Sequence, residues 1–205
     1  MKPNYKAHPW HGISIGDEAP AIVTTFIEIV PSDTIKYEID KDTGYLKIDR
    51  PQKYSNIVPS LYGFIPQTYC GRRVAEYANQ NGATDIKIGD GDPLDICVLS
   101  SHNIPHGDIM LKARPIGGFC LMDKMEADDK IIAVLVGDHI YGKYQDLSEM
   151  PAEVTERLRH YFLTYKNLPG EPRTCEIAYA YGVEKAHEVI KLSMKDYRDL
   201  SFKPI

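Results

Sequence analysis

Strict alternation of apolar and polar side chains marks the first half of the chain. Ile35-Lys36-Tyr37-Glu38-Ile39-Asp40 alternates, and Tyr45-Leu46-Lys47-Ile48-Asp49 alternates again beyond the turn Lys41-Asp42-Thr43-Gly44. Period-two runs on either side of a turn predict a β-hairpin. Thr24 to Val30 is apolar and β-branched apart from Glu28. Further strands are expected over Asp95 to Ser100, Asp108 to Ile116, Phe119 to Met122, Ile131 to Val136 and Cys175 to Tyr181. The polar stretch from Gly71 to Gly89 predicts a long surface loop. The period then changes. Val154, Leu158, Phe162 and Tyr165 recur at helical spacing behind Pro151, a residue suited to a first helical turn, and Pro169-Gly170 ends that helix. Val183, Ala186, Val189, Ile190, Met194 and Tyr197 mark a second amphipathic helix. Strands first and helices later, with no repeat or linker between them, predict one α+β domain over residues 1–205. Its core is a β-barrel or β-sheet with appended helices, and a doubly wound parallel sheet is excluded.

Composition narrows the function classes. The 205 residues are 43% apolar and 26% charged, a globular balance. Lys and Arg number 24 against 29 Asp and Glu, a net charge of −5. A chain this acidic lacks the broad basic footprint of a nucleic-acid binder. The apolar run Ile131 to Val136 is too short to span a bilayer, and Met1 to His8 carries no apolar stretch of a secretory signal. Cys70, Cys97, Cys120 and Cys175 are widely separated, which suits neither a zinc knuckle nor a disulfide framework. Buried reduced thiols in a cytoplasmic protein are expected.

Several motif matches fail on their context. Gly12-Ile13-Ser14-Ile15-Gly16 has the spacing of a serine-hydrolase elbow, but Pro9 and Pro20 flank it, where the elbow needs a strand and a helix. Gly137 to Lys143 resembles a phosphate loop. Yet Tyr144 stands where Ser or Thr must ligate magnesium, and no helix opens there. His8 with His11, and His102 with His106, are read as surface histidines, since Pro105 breaks any helix that would align the second pair. Asp90-Gly91-Asp92 does not open a calcium loop, because Leu94 occupies the third ligand position. The same Leu excludes an aspartyl-phosphate motif.

Asp90-Gly91-Asp92-Pro93-Leu94-Asp95 carries the chemistry that remains. It holds three carboxylates within six residues, set by turn-forming Gly and Pro and leading into the strand Ile96 to Leu99. Carboxylates gathered into one small volume repel unless cations sit among them, and hard divalent ions favour such oxygen ligands. A solvated acidic turn is the alternative reading of this segment taken alone. Asp123 to Lys130 is a second acidic stretch and reads equally as a charged hairpin loop. Lys36 and Glu38 share one strand face about 7 Å apart. Arg50 continues the parity of Leu46 and Ile48, which points it toward the core, where an Arg needs an anionic partner. Tyr165-Lys166 falls on the first helix.

These segments together resemble the family I soluble inorganic pyrophosphatases, over about Glu28 to Lys166. Asp90-Gly91-Asp92-Pro93-Leu94-Asp95 fits the family signature Asp-x-Asp-Pro-x-Asp completely. Supporting matches stand in the family's order: Ile35-Lys36-Tyr37-Glu38, Asp49-Arg50, Tyr62-Gly63, Arg114-Pro115-Ile116-Gly117, Asp123 with Asp128-Asp129-Lys130, and Tyr165-Lys166.

The resemblance implies an OB-like, five-stranded β-barrel core with additional strands and two main flanking helices. It implies hydrolysis of pyrophosphate to two phosphates by direct in-line attack of a metal-activated hydroxide, without a phospho-enzyme. Several Mg²⁺ ions per site are implied, with Mn²⁺ as a substitute. By motif position Asp90, Asp95, Asp123 and Asp128 resemble the metal ligands; Asp128 rather than Asp129 fits the family spacing Asp-x-x-x-x-Asp-x-Lys. Glu28 and Glu38 resemble outer-shell carboxylates. Lys36, Arg50, Tyr62, Lys130, Tyr165 and Lys166 resemble the phosphate-holding groups, and Asp92 the general base. A homo-oligomer is also implied, with no nucleic acid or membrane partner.

Val58-Pro59 stands where many members have Tyr-Pro, so a hydroxyl near the metal site is missing. Gly71 to Gly89 is longer than in the most compact members. The alternative functions are a non-catalytic OB-like nucleic-acid-binding module and a nucleotide hydrolase built on Gly137 to Lys143.

Overall fold

The computed structural model describes residues 6–53, 55–166, 170–171 and 174–200, and within them the chain forms ten strands and three α-helices. In chain order these are β1 (Val23–Ile29), β2 (Ile35–Ile39), β3 (Leu46–Pro51), β4 (Leu61–Phe64), α1 (Arg72–Gln80), β5 (Ile88–Gly89), β6 (Asp95–Leu99) and β7 (Ile109–Asp123). There follow β8 (Glu126–Ala127), β9 (Lys130–Leu135), α2 (Ala152–Thr164), β10 (Cys175–Gly182) and α3 (Val183–Arg198).

Five strands close into a barrel because β1 is paired on both edges. The ring runs β1–β4–β6–β9–β7 and back to β1, antiparallel except for β6 against β9. The expected α+β class with a five-stranded, OB-like core is what the chain adopts. Pairing along both edges removes exposed backbone from these strands. β10 extends β7 on its far half, β8 and β5 continue past its end, and β2 with β3 forms a separate hairpin.

β6 and β9, the parallel pair, are buried on both faces, which explains why Ile131 to Leu135 is a continuous apolar run rather than alternating. Ile96, Val98, Ile131 and Ala133 join one core, shared with Val74 and Ala78 of α1 and Val189 and Ile190 of α3. Cys97, Leu99, Ile132 and Val134 join a second core against Leu158 and Phe162 of α2. All four cysteines are buried and free.

Several expectations require correction. Gly71–Gly89 is not a long loop: Arg72–Gln80 is helical and buries Val74, Ala75 and Ala78. The strands expected over Asp108 to Ile116 and Phe119 to Met122 are one strand of 15 residues, running through Gly117-Gly118 with a register shift after Pro115. β4 carries no period-two signal in the sequence, because Gly63 interrupts a strand of only four residues. Tyr165 follows the last helical residue of α2 rather than lying within it, and Pro151 precedes the first. Pro169 lies outside the described residues. His8 and His11 are half-buried, their rings stacked at 4.6 Å. The segment Gly137 to Lys143 contains only a single helical turn, Tyr141–Lys143. Among the described residues no helix is long and apolar enough to cross a membrane.

Candidate active site

The acidic turn is held by its apolar residue. Leu94 is fully buried, its N–H donating to Thr68 Oγ1 at 2.9 Å and its carbonyl accepting from Ile65 N–H at 2.9 Å. Gly91 takes φ +78°, a conformation that L side chains resist, and Asp92 N–H folds back onto Asp90 Oδ1 at 3.0 Å. Further bonds from Cys70 N–H to Asp92 O and from Asp90 N–H to Ala127 O, at 2.8 and 3.1 Å, dock the turn against the segment before α1 and against β8. Asp90, Asp92 and Asp95 are therefore half-buried and anchored, which overturns the solvated-turn alternative.

The second acidic stretch is a hairpin end. Lys124 and Met125 both carry positive φ, 51° and 69°, as a tight primed turn requires. This reverses the chain so that Asp123, on β7, and Asp128, just before β9, approach the first turn. A cavity of about 260 Å³ results, lined by Asp90, Asp92, Asp95, Asp123, Asp128, Lys36, Arg50, Tyr62, Lys130, Tyr165, Lys166 and Glu126. An adjoining hollow of about 90 Å³ is bounded by Glu28, Glu38 and Lys41 and shares Lys36, Tyr62, Asp92 and Asp95. The sequence-predicted residues thus converge from eight segments: β1, β2, β3, β4, the turn into β6, the end of β7, the start of β9 and the residues after α2.

A larger hollow of about 580 Å³ lies between α1 and α3. Its charges are spent on each other, Arg73 on Asp196 and Asp199, and Arg72 on Glu76. Volume alone does not mark the site.

Positive and negative groups alternate around the smaller cavity. Lys130 is 2% exposed and bridges Asp95 and Asp128, with the rings of Tyr62 and Phe162 at 6.0 and 5.8 Å from its ammonium. Burial alone would lower its pKa; the two carboxylates outweigh that and hold it well above the ordinary value. Tyr62 Oη donates to Asp95 Oδ2 at 2.6 Å, and Lys166 Nζ donates to Asp123 Oδ2 at 2.6 Å. Lys36 contacts Glu38 at 3.0 Å and Asp49 at 2.8 Å, while Arg50 also pairs with Asp49. Arg50 faces this cavity rather than the core. The β2–β3 pairing shifts register here, Lys36 facing Arg50 and Tyr37 facing Ile48, and this irregularity breaks the alternation that parity with Ile48 assumed; Ile48 itself is 65% exposed.

Negative charge is in excess on the far wall. Burial, reinforced by the nearby Asp128, pushes the Asp90 carboxyl up to about 9. Burial also raises Asp128, against the pull of Lys130. Burial raises Glu28 to about 8, although Ile39 N–H donates to its Oε1 at 2.7 Å. Asp123 Oδ1 is buried with no hydrogen-bond partner. An oxygen-only donor set with raised carboxyl pKa values and an orphaned oxygen fits hard divalent cations. Among the described residues no three such side chains already converge on one point, because Lys130 and Lys166 stand between them.

Three contributors were missed from sequence. Lys41, beyond the end of β2, pairs with Asp92. Asp49 links Lys36 and Arg50, and Glu126 completes the cavity wall. Their only local signal is adjacency: Lys41 follows the strand of Lys36 and Glu38, Asp49 precedes Arg50, and Glu126 lies between Asp123 and Asp128. Val58 is fully buried in the core that α2 covers and does not line the cavity.

The profile of the family described as inorganic pyrophosphatase matches residues 25–198. The chain is 50% identical over 199 residues to the inorganic pyrophosphatase of Chlamydia trachomatis, covering 95% of each chain. It is 37% identical over 191 residues to the soluble inorganic pyrophosphatase of Oryza sativa, covering 93% of this chain and 79% of that one. The crystal structure of the inorganic pyrophosphatase from Thermus thermophilus superposes with a TM-score of 0.78 at 27% identity, over 94% of this chain and 99% of that chain.

Proposed function

The chain belongs to the inorganic pyrophosphatase family, and from that membership we propose that the cavity at the barrel mouth hydrolyses inorganic pyrophosphate to two phosphates. The enzyme is an inorganic diphosphatase, a phosphoric anhydride hydrolase that needs a divalent metal. One observation carries the location: a single cavity of about 260 Å³ is lined both by five aspartates and by Lys36, Arg50, Lys130 and Lys166. A densely anionic substrate with accompanying cations requires both signs at once.

Asp90, Asp95, Asp123 and Asp128 would hold the divalent ions, Mg²⁺ foremost and several per site. When bound, such ions neutralise phosphate charge and acidify a water molecule. Lys36, Arg50, Lys130 and Lys166, with the Tyr62 and Tyr165 hydroxyls, bind and orient the two phosphoryl groups. The lysines exchange their carboxylate partners for phosphate oxygens as substrate enters. Asp92 accepts the proton of the attacking water as general base, and attack is in line and direct. Glu28 and Glu38 act from the adjoining hollow through water, Glu28 being anchored by the β2 backbone. The protein works as one cytoplasmic domain assembled into a homo-oligomer. An acidic barrel mouth argues against the single-stranded nucleic-acid reading, which needs a basic groove.

The test is phosphate release from pyrophosphate, with and without Mg²⁺, by the wild type and Asp92→Asn side by side. Fast Mg²⁺-dependent release by the wild type is expected, with a loss of about 10²–10⁴-fold in the folded variant. Equal rates would remove Asp92 from the role of base, and no release by folded wild type would remove the activity.

A further inference from the structure

Asp129 occupies the position that the family spacing Asp-x-x-x-x-Asp-x-Lys leaves open, between Asp128 and Lys130. Successive side chains of an extended segment point to opposite faces. Asp128 and Lys130 line the cavity, and Asp129 does not; it turns the other way and is 2% exposed. There its Oδ1 accepts the Tyr181 hydroxyl at 2.8 Å, across 52 residues of sequence. Its Oδ2 is buried with no hydrogen-bond partner.

Tyr181 reaches this position through a gap made for it. It lies on β10, outside the barrel ring, opposite Gly118 of β7. A Cβ at Gly118 would stand 2.6 Å from Tyr181 Cε2, Cζ and Oη, so any larger residue there would expel the ring. The segment is secured on either side as well: Asp128 N–H donates to Leu121 O at 2.9 Å, and Lys130 pairs in register with Asp95 and Phe119. Between those anchors the Asp129 side chain ties the face of the segment turned away from the cavity to β10, while Lys130 ties the cavity face to Asp95.

Stability alone does not account for this arrangement. Burying a carboxylate with one oxygen unpaired costs free energy that an apolar residue would not. The geometry points to Asp129 and Tyr181 as positioning residues that hold Asp128 and Lys130 in the orientation needed for divalent-cation binding. Their action is exerted through the backbone of residues 128–130, and neither side chain touches the cavity. The inference rests on the metal-ligand role proposed above for Asp128.

The test compares Tyr181→Phe, Asp129→Ala and Asp129→Asn with the wild type, and with Tyr179→Phe as a neighbour on the same strand. Mn²⁺ binding to substrate-free protein is followed by electron paramagnetic resonance, alongside thermal melting and kcat at several Mn²⁺ concentrations. Tyr181→Phe and Asp129→Ala are expected to bind Mn²⁺ about 10-fold or more weakly, with kcat partly restored at high Mn²⁺. Asp129→Asn, whose amide oxygen can still accept the Tyr181 hydroxyl, recovers most of that loss, and Tyr179→Phe shows none. Wild-type Mn²⁺ affinity in a folded Asp129→Ala or Tyr181→Phe, whatever their melting temperatures, overturns the inference. Wild type that binds Mn²⁺ but releases no phosphate fails the proposed activity alone, and the binding arm still decides the positioning role. Wild type that binds no Mn²⁺ overturns both.

Discussion

Asp138 shows how much one carboxylate organises in a stretch without regular structure. It follows β9, is 4% exposed, and accepts from Ser101 N–H at 2.6 Å, Tyr141 N–H at 2.8 Å, Ile140 N–H at 2.9 Å and Ser101 Oγ at 2.9 Å. Burial alone would raise its pKa. The N–H groups of Tyr141, Ser101 and Ile140 outweigh that and hold it well below the usual carboxylate range. A folded-state pKa below the unfolded one means stability that is present above the ordinary Asp value of about 4 and lost as pH falls toward the folded value. Asp138→Asn is expected to cost about 2 kcal/mol at pH 7, with the gap to wild type narrowing at pH 3. Urea unfolding at both pH values checks this; an unchanged gap would show that ionisation of Asp138 is irrelevant. The apparent phosphate-loop motif around Asp138 is thereby given a structural use. At this scale Asp90, Asp92 and Asp95 were readable, because Gly and Pro state their turn locally. Lys41 and Asp129 were not, since each acquires its role from a partner far along the chain.

α1 is the element that local patterning misses most plainly. Gly71 precedes it and offers no side-chain cap. The cap comes instead from α3: Asp196 Oδ2 accepts Arg73 N–H at 3.0 Å and Val74 N–H at 3.4 Å, and its Oδ1 meets the Arg73 guanidinium at 2.9 Å. Those partners are 123 residues apart, so no capping signature stands beside the helix. Its buried face is only Val74, Ala75 and Ala78, set among polar residues, so the composition of Arg72–Gln80 suggests a loop although its apolar positions share one helical face. Asp196→Ala is expected to destabilise the protein by about 1–2 kcal/mol and to speed hydrogen exchange at Arg73 and Val74. Unaltered exchange at those amides would mean that packing alone holds the helix. α2 and α3, by contrast, follow the predicted periodicity, because each packs a broad apolar face on the barrel.

Across the whole molecule the net charge of −5 and an anionic substrate are compatible, because charge is sorted by place. Cations and carboxylates interleave at the barrel mouth, and on the proposed assignment divalent ions would relieve the excess negative charge there. Linkage then makes metal binding a global stabiliser: at 100 times the dissociation constant, Mg²⁺ adds about 2.7 kcal/mol. Thermal melting in Mg²⁺ against EDTA is expected to show a rise in midpoint for the wild type and a much smaller rise for Asp128→Asn. A midpoint that ignores Mg²⁺ in the wild type would contradict the assignment of the carboxylates. Strand and helix periods, the acidic turn and the family signature were all legible along the chain, since each depends on neighbours within a few residues. Closure of the barrel through β1 and β7 was decided only in three dimensions, as were the Asp196 cap and the register shift of the β2–β3 pairing beside Arg50, a cavity-lining residue. So was the Tyr181 contact behind Asp128. These rest on hydrogen bonds and packing between segments far apart in sequence, and such partners exist only once the chain has folded.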